Sequence, residues 1–149
     1  MKAGTVNILC FLGFLLIAGC SAPSSFVKTS AGWKTIEFNQ NIENFDNAWQ
    51  KCVDTIARDY DIEMMDKSSG YMRTAWIYGI SGGTFNRYRG RITVKFSELS
   101  EPKTVDIKTE AQWLSDESKG VWEPGFDKNF QRDVYTALSG RLGRTVAPD

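Results

Sequence analysis

The chain has 149 residues, 18 basic and 18 acidic side chains, no histidine, and a hydrophobic content of 42% of which aromatics make up 13% of the chain. That length and composition suit a folded domain with its own core and exclude a disordered chain. The even charge argues against a nucleic-acid binder, and the lack of histidine excludes the usual serine–histidine and cysteine–histidine hydrolase arrangements.

The chain opens with Lys2 and an apolar stretch over residues 6–17, broken by Asn7 and Gly13 and closing on Leu16-Ile17-Ala18-Gly19-Cys20. A charged start, a run shorter than the roughly 20 residues of a spanning helix, and small residues before a cut site mark a secretory signal. Ile17-Ala18-Gly19-Cys20 resembles the lipobox of bacterial lipoproteins. That resemblance implies removal of residues 1–19 and a palmitate-bearing lipid on Cys20. Ser21, in place of an aspartate, is similar to lipoproteins sent to the periplasmic face of the outer membrane. Loss of Lys2 leaves 17 basic against 18 acidic residues, so attachment falls to the lipid and not to a polybasic tail. Cys10 leaves with the signal, and Cys52 alone cannot build a disulfide framework. Residues 20–32 begin Ser21-Ala22-Pro23-Ser24-Ser25 after the cysteine and read as a flexible tether spanning roughly 20 Å by random-coil scaling.

A single α+β domain is expected over residues 33–149. Residues 33–38 alternate as a first strand. Phe45, Trp49, Cys52, Ile56 and Tyr60 then recur at helical spacing, with Asn41 or Asn44 as the cap. Cys52 sits on that stripe as a small core residue, since no histidine is present to activate it. Residues 61–66 and 71–78 form two strands around the turn Lys67-Ser68-Ser69-Gly70. Residues 79–84 make a long flexible hairpin tip.

The alternation is cleanest over residues 87–97 and 103–114. Tyr88, Gly90, Ile92, Val94 and Phe96 face inward on the first, and Val105, Ile107, Thr109, Ala111 and Trp113 on the second. Antiparallel pairing across the turn at 98–102 sets Lys95 against Asp106, Arg91 against Glu110, Val94 against Ile107 and Gly90 against Ala111. After a polar loop at 115–120 and Val121-Trp122-Glu123-Pro124-Gly125, a second amphipathic helix steps through Phe126, Phe130, Val134, Leu138 and Leu142, with Ala137 filling in and Gly143 as its stop. The expected architecture is two-layer: an antiparallel sheet of about five strands on two helices, in the order strand, helix, four-stranded meander, helix.

Several chemical motifs fail on spacing. Residues 79–84 lack the P-loop pattern and its lysine. Asp59, Asp61 and Glu63 begin like a calcium loop, but Met64 and Gly70 occupy the positions that need glycine and an acid. One unlipidated cysteine without histidine holds no structural zinc, so no metal or cofactor is expected. The carboxylate pairs Glu98 with Glu101 and Asp116 with Glu117 fall in loops with no apolar pocket around them, which points away from an enzyme. Arg73, Arg87, Arg89 and Arg91 fall on adjacent strands. They form either a patch for an anionic lipid, glycan or protein partner, or a solvated face answered by Asp106 and Glu110.

Residues 45–60, 61–66, Gly70-Tyr71-Met72-Arg73-Thr74-Ala75-Trp76 and Arg87-Tyr88-Arg89-Gly90-Arg91 together are similar to the helix-grip domains of BamC-type lipoproteins, accessory parts of the outer-membrane β-barrel assembly machinery. The resemblance implies a non-enzymatic binding or scaffolding module with an envelope protein partner, held to the membrane through Cys20. A competing expectation is a carrier of an apolar or lipid-like ligand in a helix–sheet cleft, with Trp49, Trp76, Tyr88, Trp113 and Phe130 available as lining.

Overall fold

A computed structural model describes residues 21–39, 42–83 and 86–146. The signal segment, the lipobox with Cys20, the possible cap Asn41 and Thr84 lie outside the described residues. In chain order the elements are β1 (Phe26–Val27), β2 (Lys34–Phe38), α1 (Phe45–Ala57), β3 (Ile62–Asp66), β4 (Tyr71–Thr74), β5 (Ile77–Tyr78), a single 3-10 turn (Ile80–Gly82), β6 (Tyr88–Lys95), β7 (Thr104–Asp116), β8 (Val121–Asp127), α2 (Lys128–Leu142) and β9 (Gly143–Val146).

The expected sheet of about five strands is corrected: nine strands form it among the described residues, with two helices. The reason lies in β7. Its 13 residues offer two long edges of backbone donors and acceptors, and such edges are rarely left unpaired. One edge takes β6 from Tyr88↔Trp113 to Lys95↔Asp106. The other is shared, with β2 on residues 104–107 and β8 on residues 111–116. Beyond those, β9 pairs β2 and β1 pairs β8. On the far side, β6 carries both β4 and β5, and β3 closes that edge through β4.

Each added strand replaces a different expectation. The stretch read as one strand over 71–78 divides into β4 and β5. Val121–Asp127, which has no alternating pattern, is a strand, so the second helix starts at Lys128 and not at Phe126. Gly143 does end α2, but it also begins β9, where its missing side chain lets the backbone lie against Glu37. The glycine-rich tip is a 3-10 turn with Ile80 in the core. Most consequentially, the tether contains β1.

The β6–β7 register agrees with the sequence reading at Lys95↔Asp106, Arg91↔Glu110, Val94↔Ile107 and Gly90↔Ala111. All ten residues expected to face inward from these two strands are buried. Both helices cover that inward face. The α1 stripe of Trp49, Cys52 and Ile56 is buried, and the Trp49 ring lies 5.9 Å from that of Phe96. Asn44 caps α1 by accepting from the Asn47 N–H at 2.9 Å. Burial pushes the Cys52 thiol up to about 12, with Lys51 opposing weakly, which suits an inert core residue. On α2, Phe130, Val134, Tyr135, Leu138 and Leu142 are buried, and the Tyr135 hydroxyl donates to the Ile107 carbonyl at 2.8 Å. Ala137, expected on this stripe, is exposed, and Tyr135 takes up the packing.

Candidate functional site

The opposite face of the sheet has charged and aromatic side chains and neither helix over it. Strand alternation sends Arg89, Arg91 and Gln112 to this side, and the β5 partner of Arg89, Tyr78, follows. The Arg89 guanidinium lies between two tryptophans, 3.9 Å from the Trp122 ring centroid and 4.4 Å from that of Trp76. Its Nε and Nη2 donate to Gln112 Oε1 at 3.0 and 2.7 Å, and its Nη1 donates to the Tyr78 hydroxyl at 3.1 Å. Arg91 covers the same Trp76 ring, also at 4.4 Å, and pairs with Glu110 at 2.7 Å. The result is a ladder of alternating rings and cations running Trp122, Arg89, Trp76, Arg91. Each ring–cation step contributes about 0.5–1 kcal/mol at an exposed site and more where water is excluded.

The four arginines therefore part company. Arg89 and Arg91 meet over Trp76. Arg73, on β4, is paired with Glu63 at 3.1 Å. Arg87 precedes β6 and lies 5.1 Å from the ring of Trp113, an inward-facing residue, while its Nη2 donates to the Leu114 carbonyl and its buried Nε has no partner. It does not belong to the ladder. Asp106, expected to answer the row, instead accepts from the hydroxyls of Thr35 and Ser97 at 2.7 Å each. Among the described residues no carboxylate lies within ion-pair distance of Arg89. Trp76 and Trp122 are half-buried, and Tyr78 and Trp33 are exposed. Trp33 adds a further ring to this face, 6.0 Å from the Lys108 ammonium.

A second polar cluster, missed in the sequence apart from its position near a helix start, centres on Asp127. It is fully buried and caps α2, its Oδ1 accepting from the Phe130 N–H at 2.7 Å. Ser81 donates to the same oxygen at 2.5 Å, while Oδ2 takes the hydroxyls of Tyr88, at 2.6 Å, and Ser25. Burial alone would raise the carboxyl; the hydrogen bonds from Phe130, Ser25, Ser81 and Tyr88 outweigh it and hold Asp127 below the usual range. Burial first, then the bond to Asp127 and its charge, drives the Tyr88 phenol far above its ordinary value. Every donor here is satisfied inside the protein, so the cluster reads as a structural joint.

The helix–sheet interface is packed with rings. The ring centroids of Trp49, Phe45 and Phe96 lie pairwise no more than 5.9 Å apart, and the Tyr88 ring lies beside those of both Trp113 and Phe26. A depression of about 340 Å³ between α2 and β2 is lined by Lys34, Lys128, Arg132 and Tyr135 among others. No group of three or more metal-binding side chains occurs among the described residues, and none of their helices is long and apolar enough to cross a membrane. No protein-family model matches the chain, and no curated protein shows significant similarity to it.

Proposed function

We propose that this chain is a lipid-anchored envelope protein whose domain works as a non-enzymatic binding module, using the helix-free face of its sheet to hold a protein partner. The lipobox-like run at Cys20 supports the anchor and the outer-membrane destination. The observation that carries the binding role is the Trp122–Arg89–Trp76–Arg91 ladder. Tryptophan, tyrosine and arginine are the residue types that dominate protein-interface energetics, and here their mutual contacts pre-set the geometry before any partner arrives. Arg89, with no carboxylate within ion-pair distance among the described residues, suits a partner that presents one. Proteins of the barrel-assembly machinery are the partners that the BamC-type resemblance suggests. The carrier alternative has less support, because Trp49, Tyr88, Trp113 and Phe130 are used in packing.

Copurification from gently solubilised membranes tests the proposal. The wild-type chain and a Gln50→Ala control on the exposed side of α1 are expected to retain the partner. Trp76→Ala and Arg89→Glu are each expected to weaken it by 2 kcal/mol or more, about 30-fold, as for a hot-spot residue. Full retention by the double variant, with the fold intact by circular dichroism, would overturn the assignment of this face.

A further inference from the structure

The segment expected to be a free tether is docked along most of its length. Ala22 packs against the core, and the Phe26 N–H donates to the Pro23 carbonyl at 2.9 Å. Ser25 is buried with its hydroxyl on Asp127, and its carbonyl accepts from the Lys128 N–H at 3.0 Å. The Phe26 ring meets Tyr88 edge-on with centroids 5.8 Å apart, Phe26 and Val27 pair with β8, and Lys28 forms an ion pair with Glu123. In sequence, only Ser21 separates Cys20 from Ala22. At no more than about 3.6 Å per residue, the two steps back to Cys20 reach roughly 7 Å at most.

We infer that the domain sits directly on the lipid surface in one orientation, with the pole built from residues 22–28, the 3-10 turn and the start of α2 against phospholipid headgroups. This rests on the lipid at Cys20 proposed above. The chemistry of the pole fits such a surface. The exposed side chains on and beside the docked segment, Ser24, Lys28, Ser81, Lys128 and Asn129, include two cations, of which Lys28 is answered by the half-buried Glu123, and the Asp127 carboxylate between them is hidden. Asp133 answers Arg132, so Lys128 supplies the positive charge for phosphate at this pole. Lys95 lies at the other end of β6 from Tyr88, seven residues on and roughly 23 Å away at 3.3 Å per residue.

The lipidated protein in vesicles of phosphatidylethanolamine and phosphatidylglycerol, with an acceptor dye on the headgroups, tests this. A donor dye is placed at Lys128→Cys or at Lys95→Cys, Cys52 being buried and unreactive. Because position 128 starts α2 at the docked pole while position 95 lies roughly 23 Å along β6 from Tyr88, about twofold greater energy transfer is expected from position 128. A flexible insertion of about 12 residues between Ser21 and Ala22, spanning roughly 20 Å, is expected to bring the two positions to equal transfer. Equal transfer without the insertion would overturn the orientation and leave the anchor standing. Protein missing from the vesicle fraction would overturn the anchor reading and this inference together.

Discussion

At Asp127 one carboxylate answers donors from four parts of the chain: the N-terminal segment, the 3-10 turn, β6 and the first turn of α2. A neutral amide cannot reproduce that arrangement, because one of its two polar atoms would be a donor facing donors. Asp127→Asn is expected to cost about 1–3 kcal/mol, the range for leaving buried hydrogen-bonding groups badly matched. The pH dependence follows from the direction of the shift. Asp127 sits lower in the folded protein than in the unfolded chain, where a carboxyl titrates near about 3.9. Its contribution is therefore fully present above that value and is lost as pH falls through the lowered one. Denaturant titrations from neutral pH down to about pH 3 are expected to show a shallower acid decline for Asp127→Asn than for the wild type. Asp66, Asp116 and Glu123 are also held low, but they are common to both proteins and cancel in the comparison. Parallel acid limbs would mean that the hub does not couple folding to this proton.

Between elements, α2 and the 3-10 turn press closely on β6 at Gly90. A side chain there would begin 2.7 Å from Ile80 Cδ1, 2.9 Å from Phe130 Cε1 and 3.1 Å from the Glu110 carbonyl oxygen. Gly90→Val is expected to cost about 1–3 kcal/mol through overpacking, measured as a lower denaturation midpoint. Trp49→Ala, across the same layer, is expected to cost more, about 3–5 kcal/mol, because it empties a site that is 4% exposed. An unchanged midpoint for either would mean that the helices do not press on the sheet as described. The packing that these changes probe was largely legible in the sequence. Residues 88–96 and 105–113 alternate without interruption, and a one-residue slip would have set lysine and arginine against the helices. The strands at 34–38, 62–66 and 71–74 were also legible, and those that were not, β1, β5, β8 and β9, were hidden for physical reasons. β1 and β5 have two residues each and no period to read, and β8 contains Pro124 and Gly125, poor strand formers held in place by the long edge of β7. The outward arginines were legible as a row, but the rings that grip Arg89 were not, since Trp122 lies on β8 and Trp76 between two short strands. Asp127 was legible only as an acid near the start of the second helix, because its partners beyond that helix are 39, 46 and 102 residues away.

Across the whole molecule, the docked N-terminal segment closes a circuit from one edge of the sheet to the joint between β6 and α2. Ser25 supplies one of the hydrogen bonds of Asp127, Phe26 covers the edge of Tyr88, and the Val27 carbonyl packs over Gly125, where a side chain would collide with it. A soluble domain that starts at Ser30 lacks all three contacts, while one that starts at Ser21 keeps them. Removal takes a donor from a buried carboxylate, at about 1–3 kcal/mol, and exposes part of an aromatic ring, at about 1–1.5 kcal/mol by area. The shorter domain is therefore expected to be less stable by about 2–4 kcal/mol, read from paired denaturant curves. Ser25→Ala in the longer domain isolates the hydroxyl and is expected to recover only part of that difference, about 1–3 kcal/mol. Were residues 21–29 a free tether, both domains would unfold at the same denaturant concentration and Ser25→Ala would be silent. The size of the difference also bears on orientation, because only a segment bound this firmly can transmit the position of a lipid at Cys20 to the sheet.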